Sequence, residues 1–272
     1  MLFKIKSYLN FLLRSQNQHG LHSPFVYDLV TNCFYDKSNH QDYGLIKNYR
    51  NDLLRNKNLI EVTDFGAGSR VFKSHKRPVF SIAKNAGITL HRAKLLYRLT
   101  NYLKLRNVLE LGTSLGIAAS AIAANKRTNL TTIEACPETS KIAKQQFKKY
   151  DLNNIRLINA QFESAISNLT SNLNPKPQTP NSKLGNSQKF DLIYFDGNHQ
   201  KEATLNYFET LLPAAHNDSV FIFDDIHWSP EMEEAWEEIK IHPEVRVTID
   251  TFQWGLVFFR KEQQKQDFTI RV

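Results

Sequence analysis

From Asn107 to Arg260 the sequence alternates between two periods. "NVLELG", "LTTIEA", "IRLINA", "FDLIYFDG" and "SVFIFDD" are short apolar runs rich in β-branched and aromatic residues, the signature of buried strands. Each is followed by a helical pattern: "IAASAIAANK", "PETSKIAKQQFKKY", "FESAISNL", "KEATLNYFETLLP" and "PEMEEAWEEIKIH". Parallel neighbours need a long crossover, and a helix supplies it, so this alternation predicts a parallel sheet with helices on both faces. The last two runs, "VRVTIDTF" and "GLVFFR", lie too close for a crossover and predict an antiparallel hairpin. The expected fold is α/β: a doubly wound, mostly parallel seven-stranded sheet ending in an antiparallel hairpin.

Two glycine clusters compete as the ligand turn of such a sheet. "IEVTDFGAGSR" begins at Ile60 and "NVLELGTSLGIAAS" at Asn107. A binding turn needs a strand entering, glycines that let the backbone approach the ligand, and a helix leaving. The second cluster has all three, and its helix is built of small residues. The next strand ends in Glu134, about two dozen residues after Glu110, where an acid can accept ribose hydroxyls. The first cluster is followed by the basic, proline-containing "VFKSHKRPVF", so the second is expected to be the nucleotide site. Its spacing is G-x-x-x-G, from Gly112 to Gly116, and the acid Glu110 precedes it. A carboxylate repels a pyrophosphate and attracts an ammonium or sulfonium, which favours S-adenosylmethionine over a dinucleotide.

Residues 1–77 are expected to form a mainly helical, partly irregular cap, 78–262 the main domain, and 263–272 a tail. A polar stretch rich in Asn, Ser and Pro predicts a mobile insertion over 168–189. At the start, Leu2, Ile5, Leu9 and Leu12 fall at helical spacing. The preferred reading is a helix packed on the core; a membrane-surface helix is the alternative. No run approaches about twenty apolar residues, so no transmembrane segment is expected, and no signal-peptide cleavage site is recognised. Two distant cysteines, Cys33 and Cys136, fit neither a disulfide framework nor a zinc site, and a reducing cytoplasm is expected. The net charge of +8 is uneven: residues 1–107 carry 18 basic and 6 acidic side chains. That asymmetry suits an anionic partner or a solvated basic face.

With "LELGTSLGIAA", "TTIEACPE", "FDLIYFDGNH" and "VFIFDDIHW" in this order, the chain from about Ser81 to Arg260 resembles the class I S-adenosylmethionine-dependent methyltransferases, and within them the catechol O-methyltransferase-like group. The resemblance implies a Rossmann-like methyltransferase fold. It implies that Glu110, Gly112, Thr113, Ser114 and Gly116 surround the methionine part of the cofactor. Glu134 would hold the ribose, Ala135 would lie beside the adenine, and Gln161 and Phe162 would flank it. Ala118 departs from a serine common in the family, so the amino-acid carboxylate must be met by backbone or from elsewhere.

Asp196 ends the fourth strand and Asp224 and Asp225 the fifth. Such ends lie together at the carboxyl edge of the sheet, where Asp196 is also expected near the cofactor. Clustered carboxylates suit a hard cation such as Mg²⁺ or Ca²⁺, and the resembling group holds a divalent cation at these positions. The competing reading has Asp196 bonding the cofactor and Asp224 capping a helix. His199 is the candidate base, because imidazole titrates near neutrality; Lys201 and His227 compete with it, and Trp228 is a candidate pocket wall.

The expected function is O-methylation of a small acceptor, anionic if the basic front faces it. The "DFGAGSR" loop would then lie near the cofactor, with Arg70, Lys73 and Arg77 toward the acceptor. The rivals are an RNA methyltransferase and a non-catalytic cofactor-binding protein; a homodimer is left open.

Overall fold

The computed structural model describes residues 2–63, 74–170 and 189–272. In chain order it runs α1 (Leu2–Arg14), α2 (Pro24–Leu29) continued by a π-helical turn at Val30–Phe34, α3 (Tyr43–Arg55), β1 (Leu59–Glu61), β2 (Lys76–Pro78), α4 (Val79–Asn85) and α5 (Leu90–Tyr102). There follow β3 (Asn107–Leu111), α6 (Ile117–Ala123), β4 (Asn129–Glu134), α7 (Pro137–Lys149), β5 (Ile155–Asn159), α8 (Phe162–Thr170) and β6 (Leu192–Phe195). The chain closes with α9 (Lys201–Leu211), β7 (Val220–Asp224), α10 (Pro230–Ile241), β8 (Val247–Asp250), β9 (Trp254–Phe258) and β10 (Gln266–Thr269).

The alternation gives the mostly parallel sheet it predicts, in the order β10-β8-β9-β7-β6-β3-β4-β5. The closing hairpin is present: β8 pairs antiparallel with β9, and β9 antiparallel with β7. The sheet has eight strands where seven are expected. The extra strand, β10, lies in the segment expected as a tail and pairs parallel with β8. Its sequence "QDFT" is short, with three polar residues of four, because an edge strand buries little, and so it carries no strand signal.

Contacts cluster into two compact units, residues 1–16 with 161–271, and residues 17–160 with Val272. The cap expected over 1–77 therefore divides, its first helix going with the C-terminal unit. In the 17–160 unit, helix starts follow local chemistry. The Ser23 hydroxyl accepts the Val26 N–H ahead of Pro24, and the Thr89 hydroxyl caps α5 by accepting the Arg92 N–H. Arg98 on α5 is buried and satisfied without a carboxylate. Its guanidinium donates to the carbonyls of Cys33 (2.7 Å) and Phe34 (3.0 Å) and to the Tyr43 hydroxyl (3.0 Å). Those carbonyls end the π-helical turn, where a cation suits the helix dipole. Both cysteines are buried and free, and burial pushes the Cys33 thiol up to about 12.

The strand at Ile60 does not lead into a helix. β1 pairs antiparallel with β2 in a separate two-stranded sheet, and the Val62 N–H donates to the His75 carbonyl. The strands that precede and follow the first glycine cluster in the chain thus pair with each other. The cluster's glycines, with Arg70 and Lys73, lie outside the described residues, as does 171–188 of the expected insertion.

In the other unit, α1 is held through one edge. Tyr8 and Phe11 pack on Phe252 at ring distances of 4.8 and 5.5 Å. The Gln16 N–H donates to the Thr269 carbonyl, tying the end of α1 to β10. The core-packed reading of Leu2, Ile5 and Leu9 is overturned: they are 85%, 51% and 55% exposed, while Ser7 and Phe11 are buried. The apolar spacing is helical as expected, but the docked face is the other one.

Candidate active site

The turn after β3 is shaped by three residues in left-handed backbone conformations. Gly112 has φ 108°, Ser114 φ 48° and Gly116 φ 77°. The Gly112 and Thr113 N–H groups both donate to the Ile133 carbonyl of β4, which folds the turn across the neighbouring strand. Gly116 cannot carry a side chain. A Cβ there would sit 2.6 Å from the Tyr49 hydroxyl and 2.6 Å from the Phe147 ring. Tyr49 in turn donates to the Leu115 carbonyl at 2.9 Å, so α3 clamps the turn. Sequence alone singles out neither Tyr49 nor Phe147. α3 gives only a helical pattern, which does not say what its tyrosine touches.

Glu110 is fully buried on β3. It stands in register with Thr132 on β4, whose hydroxyl donates to Glu110 Oε2 at 2.5 Å; Thr113 and Thr132 share a second hydroxyl contact at 2.5 Å. Glu110 Oε1 is buried with no hydrogen-bond partner among the described residues. Burial raises the Glu110 pKa to about 8, the Thr132 bond opposing this and the nearby Glu134 adding to it. Near neutrality this carboxyl is mostly protonated in the ligand-free chain. A cationic group brought to Oε1 would draw it into the ionised form. The sequence reading misses the threonine relay, although "TTIE" beside "LELG" contains it.

Glu134, at the end of β4, is half-buried and turned toward the same loop. Its Oε2 accepts the Ser114 N–H at 2.7 Å and its Oε1 the Cys136 N–H at 2.9 Å. Burial raises its pKa, and these N–H groups work against the rise. The Thr139 hydroxyl and the Ala135 N–H interact with this carboxyl as well. Ala135 follows it, and the carbonyls of Glu134 and Ala135 both accept from the Asn159 amide. Ala118, buried on α6, offers no polar group, as its identity implies.

In the other unit, Gln161 precedes α8 and its carbonyl accepts the Ala165 N–H. Phe162 packs edge-on against Tyr207 with ring centroids 5.8 Å apart. At the ends of β6 and β7 the structure brings together Asp196, His199 and Asp224, each offering a donor atom within 4.8 Å of the others. His199 follows Asn198, which holds φ 51°. Asp225, expected with them, is not part of this group. It has φ 53°, and its N–H donates to the Gln253 carbonyl.

The competing bases are engaged elsewhere. Lys201 is paired with Glu234 (3.0 Å) and Glu238 (2.6 Å), which raise its pKa. His227 has Glu233 on Nδ1 (2.6 Å) and Asp250 on Nε2 (3.0 Å). Burial opposes its charged form, but the two acids outweigh it and raise its pKa. Trp228 lies 6.3 Å from His199, ring to ring, and Lys4 of α1 sits 3.7 Å over its ring. Arg77, expected to face an acceptor, is buried and donates to the Ser74 carbonyl.

A family model described as a methyltransferase domain matches residues 109–226. No curated protein matches. Among solved structures, a methyltransferase from Podospora anserina with bound S-adenosylhomocysteine aligns at TM-score 0.57 and 13% identity, over 89% of this chain and 97% of that one. An O-methyltransferase of tomaymycin synthesis from Streptomyces achromogenes aligns at 0.53 and 13%, over 90% and 99%. An O-methyltransferase from Bacillus cereus aligns at 0.51 and 16%, over 87% and 96%. At such identities the solved structures speak to the fold alone. Residues 109–226 thus match a methyltransferase domain, set in a Rossmann-like methyltransferase fold.

Proposed function

We propose that this chain methylates an oxygen of a small acceptor. The cofactor is assigned to the β3–α6 turn with Glu110 and Glu134, and the acceptor chemistry to Asp196, His199 and Asp224. The carrying observation is the convergence of those last three side chains at the ends of β6 and β7.

The turn residues fit the cofactor. Glu110 offers a buried oxygen without a partner among the described residues, suited to a cation, and Glu134 places a carboxyl at the end of β4 to meet ribose hydroxyls. When bound, S-adenosylmethionine supplies an electrophilic methyl group on a sulfonium sulfur. The protein adds orientation and proton transfer. His199 takes the proton of an acceptor hydroxyl as that oxygen gains the methyl group. Lys201 and His227 are tied to acids and are poorly placed to do so.

The same trio also fits a divalent cation. Two carboxylates and one imidazole suit Mn²⁺, Co²⁺ or Zn²⁺ better than Mg²⁺, whose sites are built from oxygen. A cation there would neutralise the acids and lower the pKa of the acceptor hydroxyl, and His199 would then be a ligand.

The test is turnover with isotopically labelled methyl donor and a panel of phenolic and aliphatic alcohols, read by mass spectrometry. His199→Ala and Asp224→Asn are expected to lower turnover by about 100-fold or more. Loss on chelation and recovery with Mn²⁺ assigns His199 as ligand; indifference to chelator assigns it as base. Turnover unchanged in both variants would remove the trio from the chemistry.

A further inference from the structure

Helix α1 presents a face that the other described residues leave exposed. Its docked edge carries Ser7 and Phe11, both buried. On a helical wheel the opposite side, an arc of about 100°, holds Leu2, Ile5, Leu9, Leu12 and Leu13. Leu2 and Leu13 are 85% and 86% exposed. Of the eleven exposed large apolar side chains among the described residues, four, Leu2, Ile5, Leu9 and Leu13, lie in this stripe. Scattered single apolar residues are ordinary on a protein surface, but a continuous stripe on one helix is not.

The charge on the helix says what covers the stripe. α1 carries Lys4, Lys6 and Arg14 and no acid, and the first acid in the chain is Asp28. Lys6 is exposed at the border of the stripe, whereas Lys4, over Trp228, and Arg14 lie toward the docked side. The nearby acids Glu233, Glu237 and Asp250 line a cavity of about 220 Å³ together with Ser7, Phe11 and Arg14, on the docked side of the helix. A second copy would bring like charges together with no acid on either helix to pair them. An anionic surface meets both the stripe and Lys6. At thirteen residues the helix is about 20 Å long, too short to cross about 30 Å of hydrocarbon, so it can only lie in the interface.

We infer that α1 is a membrane-surface helix: its Leu2–Ile5–Leu9–Leu13 stripe enters the headgroup boundary of an anionic bilayer, with Lys6 at its border against the lipid charge. The helix is fixed to the unit that carries the Asp196–His199–Asp224 group, since Lys4 lies over Trp228, which neighbours His199. Lipid contact thus sits on the acceptor chemistry's own unit. This role of α1 is independent of the proposed reaction.

The test is flotation of the full chain with phosphatidylcholine vesicles, with and without phosphatidylserine. The wild type should float with the anionic vesicles and be released by high salt. Leu9→Glu/Leu13→Glu should weaken binding at least tenfold, and Lys6→Glu should remove most of its dependence on phosphatidylserine. Both changes are on exposed side chains, and an unchanged unfolding temperature will show that the fold survives. No flotation of the wild type, or equal flotation of the double leucine variant, would overturn the inference. So would a concentration-dependent dimer that dissolves in that variant while vesicles are ignored. Cofactor binding by calorimetry should be unchanged in these variants, which keeps this outcome separate from that of the proposed reaction.

Discussion

Glu110 is a carboxyl whose buried environment opposes its ionisation. It keeps its proton to about pH 8 in the folded chain, whereas in the unfolded chain it loses it near 4.5. Between those values the unfolded state has given up a proton that the folded state holds. Its contribution to stability is therefore greatest below pH 4.5, falls as the pH rises, and levels off above 8. Glu110→Gln should remove that slope, raising the unfolding temperature by a few degrees at pH 8 relative to wild type and by little at pH 4.5. Equal shifts at both pH values would show that the carboxyl ionises normally. Glu134 plays a different part, because the Ser114 and Cys136 N–H groups already orient it. Glu134→Ala should weaken S-adenosylhomocysteine binding by roughly ten- to a hundredfold, the loss of a charge-assisted bond worth about 1.5–3 kcal/mol. Unchanged affinity in calorimetry would take the ribose away from this residue. Both acids are legible in the sequence, because each ends a recognisable strand. Their partners are not, since Thr132 matters only through a register that pairs it with Glu110.

At the scale of elements, the β3–α6 turn and its clamp should fail together. Gly116→Ala forces a Cβ against Tyr49 and Phe147 at a positive φ, and should destabilise the chain by about 2–4 kcal/mol. Urea denaturation at neutral pH measures this; a cost under about 0.5 kcal/mol would mean that α3 and α7 yield easily. Arg98 makes a parallel case in α5. Arg98→Met leaves two buried carbonyls and a tyrosine hydroxyl short of a donor, with an expected cost of about 2–4 kcal/mol. Retention of full stability would show that water replaces the guanidinium. The central strands and their helices are readable because apolar period and capping residues agree, as at Thr89 with Arg92. β10 is not, because "QDFT" buries little. The orientation of α1 is not either. Its period reveals an apolar face but cannot say that Ser7 and Phe11, rather than Ile5 and Leu9, meet the protein.

At the scale of the whole molecule, one of two glycine clusters is assigned to the cofactor. The first sits between the antiparallel strands β1 and β2; the second joins a parallel strand to a helix, within the matched domain. Composition alone makes the two look alike, and only the segment leaving each cluster, a return strand or a helix, separates them. The fold class is legible because alternation extends over more than half the chain. His199 is legible as a candidate base but not as a neighbour of both Asp196 and Asp224, which depends on a loop bent at Asn198. The most direct measurement is titration of S-adenosylhomocysteine into the wild type and into Gly112→Val. Gly112 holds φ 108° at the point where backbone must approach the ligand, so a β-branched side chain should close the site. Saturable binding by the wild type and none by the variant at the same concentrations, with cooperative unfolding retained, is the predicted result. Binding of equal strength in both, or none by the folded wild type, would contradict the assignment of the cofactor to this turn.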